Sequence, residues 1–282
     1  MNDVTPIEKH SVSIGLLAAL VATELESFAG PLLAAGWKRE LELQPRLRAA
    51  QIEQWHKDVA GVTVNIYTGA IGRMGQAAAA IETFAFLERV HPSIVFLCGI
   101  AGSLDRKTFK KRDVVVARHV HWKGENKIED GSPCRTYRRA DYLVPNLDVD
   151  VINKIEATLI RLKNARIIAD SFDVHVSEIF SWDYVTSGQS ITQEILAKHP
   201  KAACVEMEGG GFLAAVERYH KVRGERPILG LVVRGISDYT ELKDSDEETR
   251  KGAARNAALV CAKLAEDAFD PAGSDLVAGL LA

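Results

Sequence analysis

The sequence predicts an α/β fold of three layers, with helices on both faces of a central sheet. Three observations predict it. Apolar runs of strand length recur at residues 12–18, 92–98 and 228–233, as strands buried on both faces require. Helix-like stretches alternate with strand-like ones along the chain. No internal repeat or linker interrupts that alternation, so residues 1–282 are expected to form one domain with a core at about 12–267.

Taken in order, residues 1–10 are polar and the first strand begins at Val12. Thr23-Glu24-Leu25-Glu26 follows it. Phe28, Leu32 and Leu33 fall on one helical face, Pro31 belongs near the start of that helix, and Gly36 ends it. Residues 38–58 are charged and poorly patterned, and read as an insertion or an exposed helical connection. Residues 62–67 alternate as a strand. They run into Gly69, Gly72 and Gly75 and then an alanine-rich helix from Gln76 to Arg89. Glycines at a helix N-terminus leave backbone N–H groups free for an anion, with Arg73 and Gly75 as candidate phosphate contacts; a tight turn would also need these glycines. Neither GxGxxG nor GK[ST] is present.

After the strand at 92–98, the small residues of Gly99-Ile-Ala-Gly102-Ser103 let backbone approach a ligand. Residues 113–120 form the next strand, with Arg118 on it as a further candidate phosphate contact. His119 and His121 share a face, but two histidines without a third ligand make no metal site. Residues 122–147 are polar. Arg135, Arg138 and Arg139 read there either as a solvated loop or as a phosphate clamp. A helix is expected at 148–162, a strand at 173–180 and a helix at 190–198. Trp182 and Tyr184, with Val185, lie at a strand end where rings stack on a planar base or pack in the core. Residues 209–221 and 246–267 read as helices, with Lys251, Arg255 and Glu266 facing out.

Composition narrows the function classes. An apolar content of 47% over 282 residues supplies a substantial core. A net charge of −3 gives no electrostatic case for nucleic acid or an anionic membrane. Cys98, Cys134, Cys204 and Cys261 form no CxxC pair, so neither a zinc site nor a disulfide framework is indicated. Cys98 and Cys204 lie in apolar runs and fit a reducing compartment. The apolar run at 12–22 is too short to span a membrane, and Asp3 and Glu8 rule out a basic leader, so a cytoplasmic protein is expected.

Two segments organise the rest. Cys204-Val-Glu206-Met207-Glu208-Gly209 follows a short apolar run and opens into a helix. Arg234-Gly-Ile-Ser237-Asp238 follows the strand at 228–233. Acids at the carboxyl ends of buried strands lie where α/β sheets bind ligands. Singly, each also reads as a helix start or a turn cap.

Together with Gly99-Ile-Ala-Gly102-Ser-Leu104, the valine run after Asp113, and Ile14-Gly-Leu-Leu-Ala-Ala-Leu20 with Glu24, these segments resemble the nucleoside phosphorylase and nucleosidase superfamily over residues 12–267. The resemblance implies a central mixed sheet, partly closed like a barrel, with flanking helices, and cleavage of the N-glycosidic bond of a purine nucleoside or nucleotide, without metal or cofactor, by a homo-oligomer. It puts Asp238 at the purine leaving group and Glu24 at the attacking water. It puts Glu208 and Met207 at the ribose, with Glu206, Ser237, Arg234, Gly102, Trp182, Tyr184 and Val185 around the substrate. Asp238 would pass a proton to the departing base, and Glu208 would supply electron density to the developing sugar cation. Ala77 and Ala78 stand where phosphorylases of this resemblance often carry a phosphate-binding serine, which favours water as nucleophile. Trp182 replaces a usual glycine. A phosphate-using phosphorylase is one alternative. A nucleotide-sensing or nucleotide-depleting domain of a bacterial antiviral system is another.

Overall fold

In a computed structural model the described residues are 11–41, 51–59, 61–123, 126–127, 136–137, 149–164, 171–223, 228–242 and 245–268. The elements in chain order begin with β1 (Ser11–Ala18), a 3-10 turn (Leu25–Ser27), α1 (Ala29–Ala34), β2 (Lys38–Arg39), β3 (Glu53–Val59) and β4 (Val62–Ala70). Next come α2 (Gln76–Val90), β5 (Ile94–Ser103), β6 (Val114–Trp122), β7 (Asn126–Lys127), β8 (Thr136–Tyr137) and α3 (Val149–Asn164). The last are β9 (Val174–Ser181), α4 (Gln189–Lys198), β10 (Ala202–Glu206), α5 (Gly209–Arg223), β11 (Leu229–Tyr239) and α6 (Glu247–Asp267). Arg135, Arg138 and Arg139 lie outside the described residues, as does the tail after Pro271.

Side-chain alternation along the central strands makes the layers. On β5, Ile94, Phe96 and Cys98 enter a core shared with α1, α3 and α6. Val95 and Leu97 enter a second core, on the other face, with Phe86 and Leu87 of α2 and Phe212, Leu213 and Val216 of α5. Each such side chain contributes about 1.5–3 kcal/mol by leaving water. The two covering helices α2 and α5 approach closely at Gly211, where an added Cβ would lie 2.0 Å from the Gln76 carbonyl oxygen.

The sheet runs β10-β9-β6-β11-β5-β1-β4-β3-β2, and β10 also pairs with β5. That extra pairing closes β5, β11, β6, β9 and β10 into a barrel-like ring. One edge of β5 is covered throughout by β11. Its other edge is shared: β1 pairs with residues 94–97, and β10 with Gly102 and Ser103. Between these partners the edge of β5 is open at Gly99–Ala101, and there a cleft forms.

Three expectations change. Residues 38–58 contribute β2 and β3, an antiparallel edge to β4. The strand pattern was hidden because on β3 only Trp55 is fully buried. The strand expected at 92–98 extends through residues 99–103, which continue β5 to Ser103. Asp238 lies within β11, which continues to Tyr239.

Candidate active site

A cleft of about 330 Å³ opens beside the uncovered edge of β5. Its walls come from the β1 end (Ala19, Leu20, Glu24), the middle of β5, the β10 end (Glu206, Met207, Glu208) and β11 (Ser237, Asp238).

Glu24 is brought in by the turn after β1 and is 2% exposed. Its Oε2 accepts hydrogen bonds from the amides of Ala19 at 2.8 Å and Leu20 at 2.9 Å. Its Oε1 accepts from the Ile100 amide at 2.9 Å, in the gap between β1 and β10. Three backbone donors, two just past β1 and one on β5, therefore lock this carboxylate, whose remaining lone pairs are available to the cleft.

Behind Glu24 lies Arg234, with no exposure at all. Its Nη2 donates to Glu206 Oε2 and, at 3.0 Å, to Glu208 Oε2. Burial opposes charge on this guanidinium, but the carboxylates of Glu206, Glu208 and Glu24 outweigh it and raise the pKa of Arg234. Gly99 makes the arrangement possible: a Cβ there would lie 2.3 Å from Arg234 Nη1 and 2.4 Å from Glu24 Oε1.

The two glutamates at the end of β10 divide their tasks. Glu206 turns back to cap α5, accepting from the amides of Glu208 at 3.0 Å and Gly209 at 2.8 Å. Glu208 reaches across the cleft, where its Oε1 accepts from the Gly75 amide at 3.2 Å. Burial pushes the Glu208 carboxyl up to about 7, held back by Arg234 and reinforced by Glu206 and Glu24.

On β11 the register against β5 shifts between Ile236 and Asp238. Adjacent strand residues ordinarily face opposite sides. This irregularity lets Ser237 and Asp238 both reach the cleft, as bulges beside functional sites do. Ser237 Oγ donates to Asp238 Oδ2 at 2.8 Å.

Of the residues singled out from sequence, Glu24, Glu206, Met207, Glu208, Ser237, Asp238, Gly102, Tyr184 and Val185 line the cleft together. Arg234 supports it from behind. Trp182 does not line it. That ring is 5% exposed and packs among Leu104, Phe180, Ile195 and Val205, with Nε1 donating to Thr186 Oγ1 at 3.0 Å. It backs the half-exposed Tyr184 edge-on, with centroids 5.3 Å apart, so core packing is its role.

The proposed phosphate contacts Arg73, Gly75 and Arg118 do not converge. Arg73 is exposed and outside the cleft wall, which its neighbour Met74 joins. The Gly75 amide is engaged by Glu208, and the Gln76 amide donates to Asp183 Oδ1 at 2.8 Å. Two amides at the N-terminus of α2 are thus taken by the chain's own acids, which favours the tight-turn alternative over the anion cradle. Arg118 pairs with Glu156 at 3.1 Å and borders a separate hollow with Glu178 and Lys201.

Sequence reasoning missed Asp183, Gln76 and Arg250. Gln76 ties three elements together, donating to Ser181 Oγ at 2.8 Å and accepting from the Gly211 amide at 2.6 Å. The signal for Asp183 was its place one residue after Trp182, at the end of β9. Arg250 lines the cleft from α6. Among the described residues, no group of three or more His, Cys, Asp or Glu is placed to hold a metal, and no helix is long and apolar enough to cross a membrane.

Solved structures share this fold at low identity. A 5′-methylthioadenosine/S-adenosylhomocysteine nucleosidase from Colwellia psychrerythraea, in complex with adenine, is 20% identical with a TM-score of 0.61, covering 91% of this chain and 95% of that one. The corresponding nucleosidase from Neisseria meningitidis, in complex with methylthio-immucillin-A, is 19% identical with a TM-score of 0.60, covering 90% and 98%. Futalosine hydrolase of Helicobacter pylori is 15% identical with a TM-score of 0.60, covering 90% and 97%. No curated protein matches the chain. A family model described as the phosphorylase superfamily matches residues 14–269, and the chain therefore belongs to the phosphorylase superfamily.

Proposed function

We propose that this chain, as one domain with its core at about 12–267, hydrolyses the N-glycosidic bond of a purine nucleoside or nucleotide, releasing free base and ribose or phosphoribose. The observation that carries the reading is the arrival of Glu24, Glu208 and Asp238, from three distant parts of the chain, in one cleft. Asp238 is assigned to the base, with Ser237 orienting its carboxyl, and passes a proton to the departing purine. Glu208, held between Arg234 and the Gly75 amide, accepts from the ribose hydroxyls and steadies the sugar cation. Glu24, immobilised by three amides, orients the attacking water and accepts the proton it loses on bonding to C1′. Tyr184 and Val185 supply an apolar wall for a planar base.

Water is favoured over phosphate by the charge of the cleft. Its described lining carries Glu24, Glu206 and Glu208, with Asp238 protonated for its role at the base, against Arg250 as the one cation. A phosphate dianion beside these carboxylates would be repelled, and two amides at the N-terminus of α2 are already taken by Glu208 and Asp183. The purine assignment draws on the adenine and immucillin ligands of the similar nucleosidases. A cytoplasmic setting fits the free, buried thiols of Cys98, Cys204 and Cys261. Homo-oligomerisation belongs to the same reading, with exposed Met74, Ile81 and Val185 as apolar surface for it.

The test is incubation with adenosine, inosine, methylthioadenosine, AMP and ATP, following released base by chromatography with and without phosphate. Free base and ribose or its phosphate, at a rate independent of inorganic phosphate, is the expected result. Base release that requires phosphate returns the phosphorylase reading. Binding without base release returns the nucleotide-sensing one.

A further inference from the structure

Arg250 is in the first turn of α6, on the wall of the cleft. The other charged residues of that turn are engaged elsewhere. Glu247 pairs with Lys251 at 2.6 Å and Glu248 with Arg112 at 3.1 Å, while Asp246 caps the helix by accepting from the Thr249 amide at 2.6 Å. Arg250 donates from Nε to Ser245 Oγ at 3.0 Å and has no carboxylate partner among the described residues. That bond orients the guanidinium and, among the described residues, leaves its two terminal nitrogens as a planar fork without a partner. Such a fork matches the paired oxygens of a phosphate or carboxylate.

The charge of the cleft is therefore divided. Carboxylates line its buried part, and the one lining cation is exposed to solvent. An anion is unfavourable among the former and favourable beside the latter. We propose that Arg250 selects a substrate carrying an anionic group on C5′ of the ribose. The inference rests on the glycosidase reading, in which Asp238 takes the base and Glu208 the 2′ and 3′ hydroxyls. C5′ is then the position left to carry a substituent toward another wall.

The experiment compares kcat/KM for AMP, adenosine 5′-carboxylate, adenosine and methylthioadenosine in the full chain, in wild type, Arg250→Gln and Arg250→Lys. Wild type should prefer the anionic substrates to adenosine by about tenfold or more. Arg250→Gln should lower the AMP-to-adenosine ratio by about ten- to hundredfold, chiefly through KM, as loss of a charge-assisted hydrogen-bond pair does. Arg250→Lys should recover part of the ratio, because it keeps the charge without the fork. The relative rates of the two anions tell phosphate from carboxylate. Wild-type ratios near one, or a ratio unchanged in Arg250→Gln, would overturn the inference while leaving the glycosidase reading intact. Absence of base release from every substrate would overturn both.

Discussion

The amino ends of α2 and α6 both border the cleft, and they are finished in opposite ways. At α2 the Gly75 amide donates to Glu208 and the Gln76 amide to Asp183, partners 133 and 107 residues away. At α6 the cap is local, from Asp246 to the amide of Thr249 three residues on. Every helix start presents unsatisfied N–H groups and a positive dipole end. At α2 those groups help to aim a cleft carboxylate, so helix capping and site assembly are one interaction. At α6 the cap stays within the turn, and Arg250, bonded to Ser245, lines the cleft. One helix end positions an acid, and the other presents a cation.

The largest expected effect comes from removing the charge that balances the α2 side. Arg234→Leu strands Glu206 and Glu208 as buried acids, so unfolding in urea should show a loss of about 3–5 kcal/mol. A loss below about 1 kcal/mol would mean that the amides alone stabilise Glu208.

Glu208 should also write itself into the pH dependence of stability. Burial raises its carboxyl to about 7. Between the unfolded value of about 4.3 and that folded value, the folded protein binds more protons. The contribution of Glu208 to stability is then full below the unfolded pKa and is lost as pH rises through about 7. The Tm of the wild type should fall from about pH 5 to about pH 8 on this account, and Glu208→Gln should flatten the fall. An identical slope in the mutant would remove Glu208 as its source.

The two caps provide the smallest and most direct contrast. Asp183→Ala and Asp246→Ala should each cost about 1 kcal/mol. Only Asp183→Ala should also slow base release, because it loosens the α2 start that holds Glu208. Equal activity in the two variants would show that capping and site assembly are separate at α2.

The same contrast explains what the sequence revealed. Buried strands such as β5 and β11 were legible because both faces are apolar, and the three acids stood out by following strands. Asp246-Glu-Glu-Thr249 reads as a helix start from four adjacent residues. Nothing local marks Asp183 as the partner of Gln76, so the glycines before α2 looked like a vacant anion site. β3 was missed because a solvated edge strand that fully buries only Trp55 has no alternation to read. The irregularity at Ser237, which brings Asp238 into the cleft, depends on pairing with β5, more than 130 residues earlier, and so reads as a loop in the sequence. Stacking and core packing stayed open for Trp182 because its cover by Phe180, Ile195 and Val205 is tertiary.

The central claim is that Asp238 serves the leaving base in an N-glycosidic hydrolase. The most direct measurement is kcat for base release, with Tm in parallel, for wild type and Asp238→Asn, a change that keeps size and removes the transferable proton. The account predicts a fall in kcat of about 10²–10⁴-fold in a mutant that melts close to wild type and still binds free purine. A folded Asp238→Asn protein with near-normal kcat would contradict it.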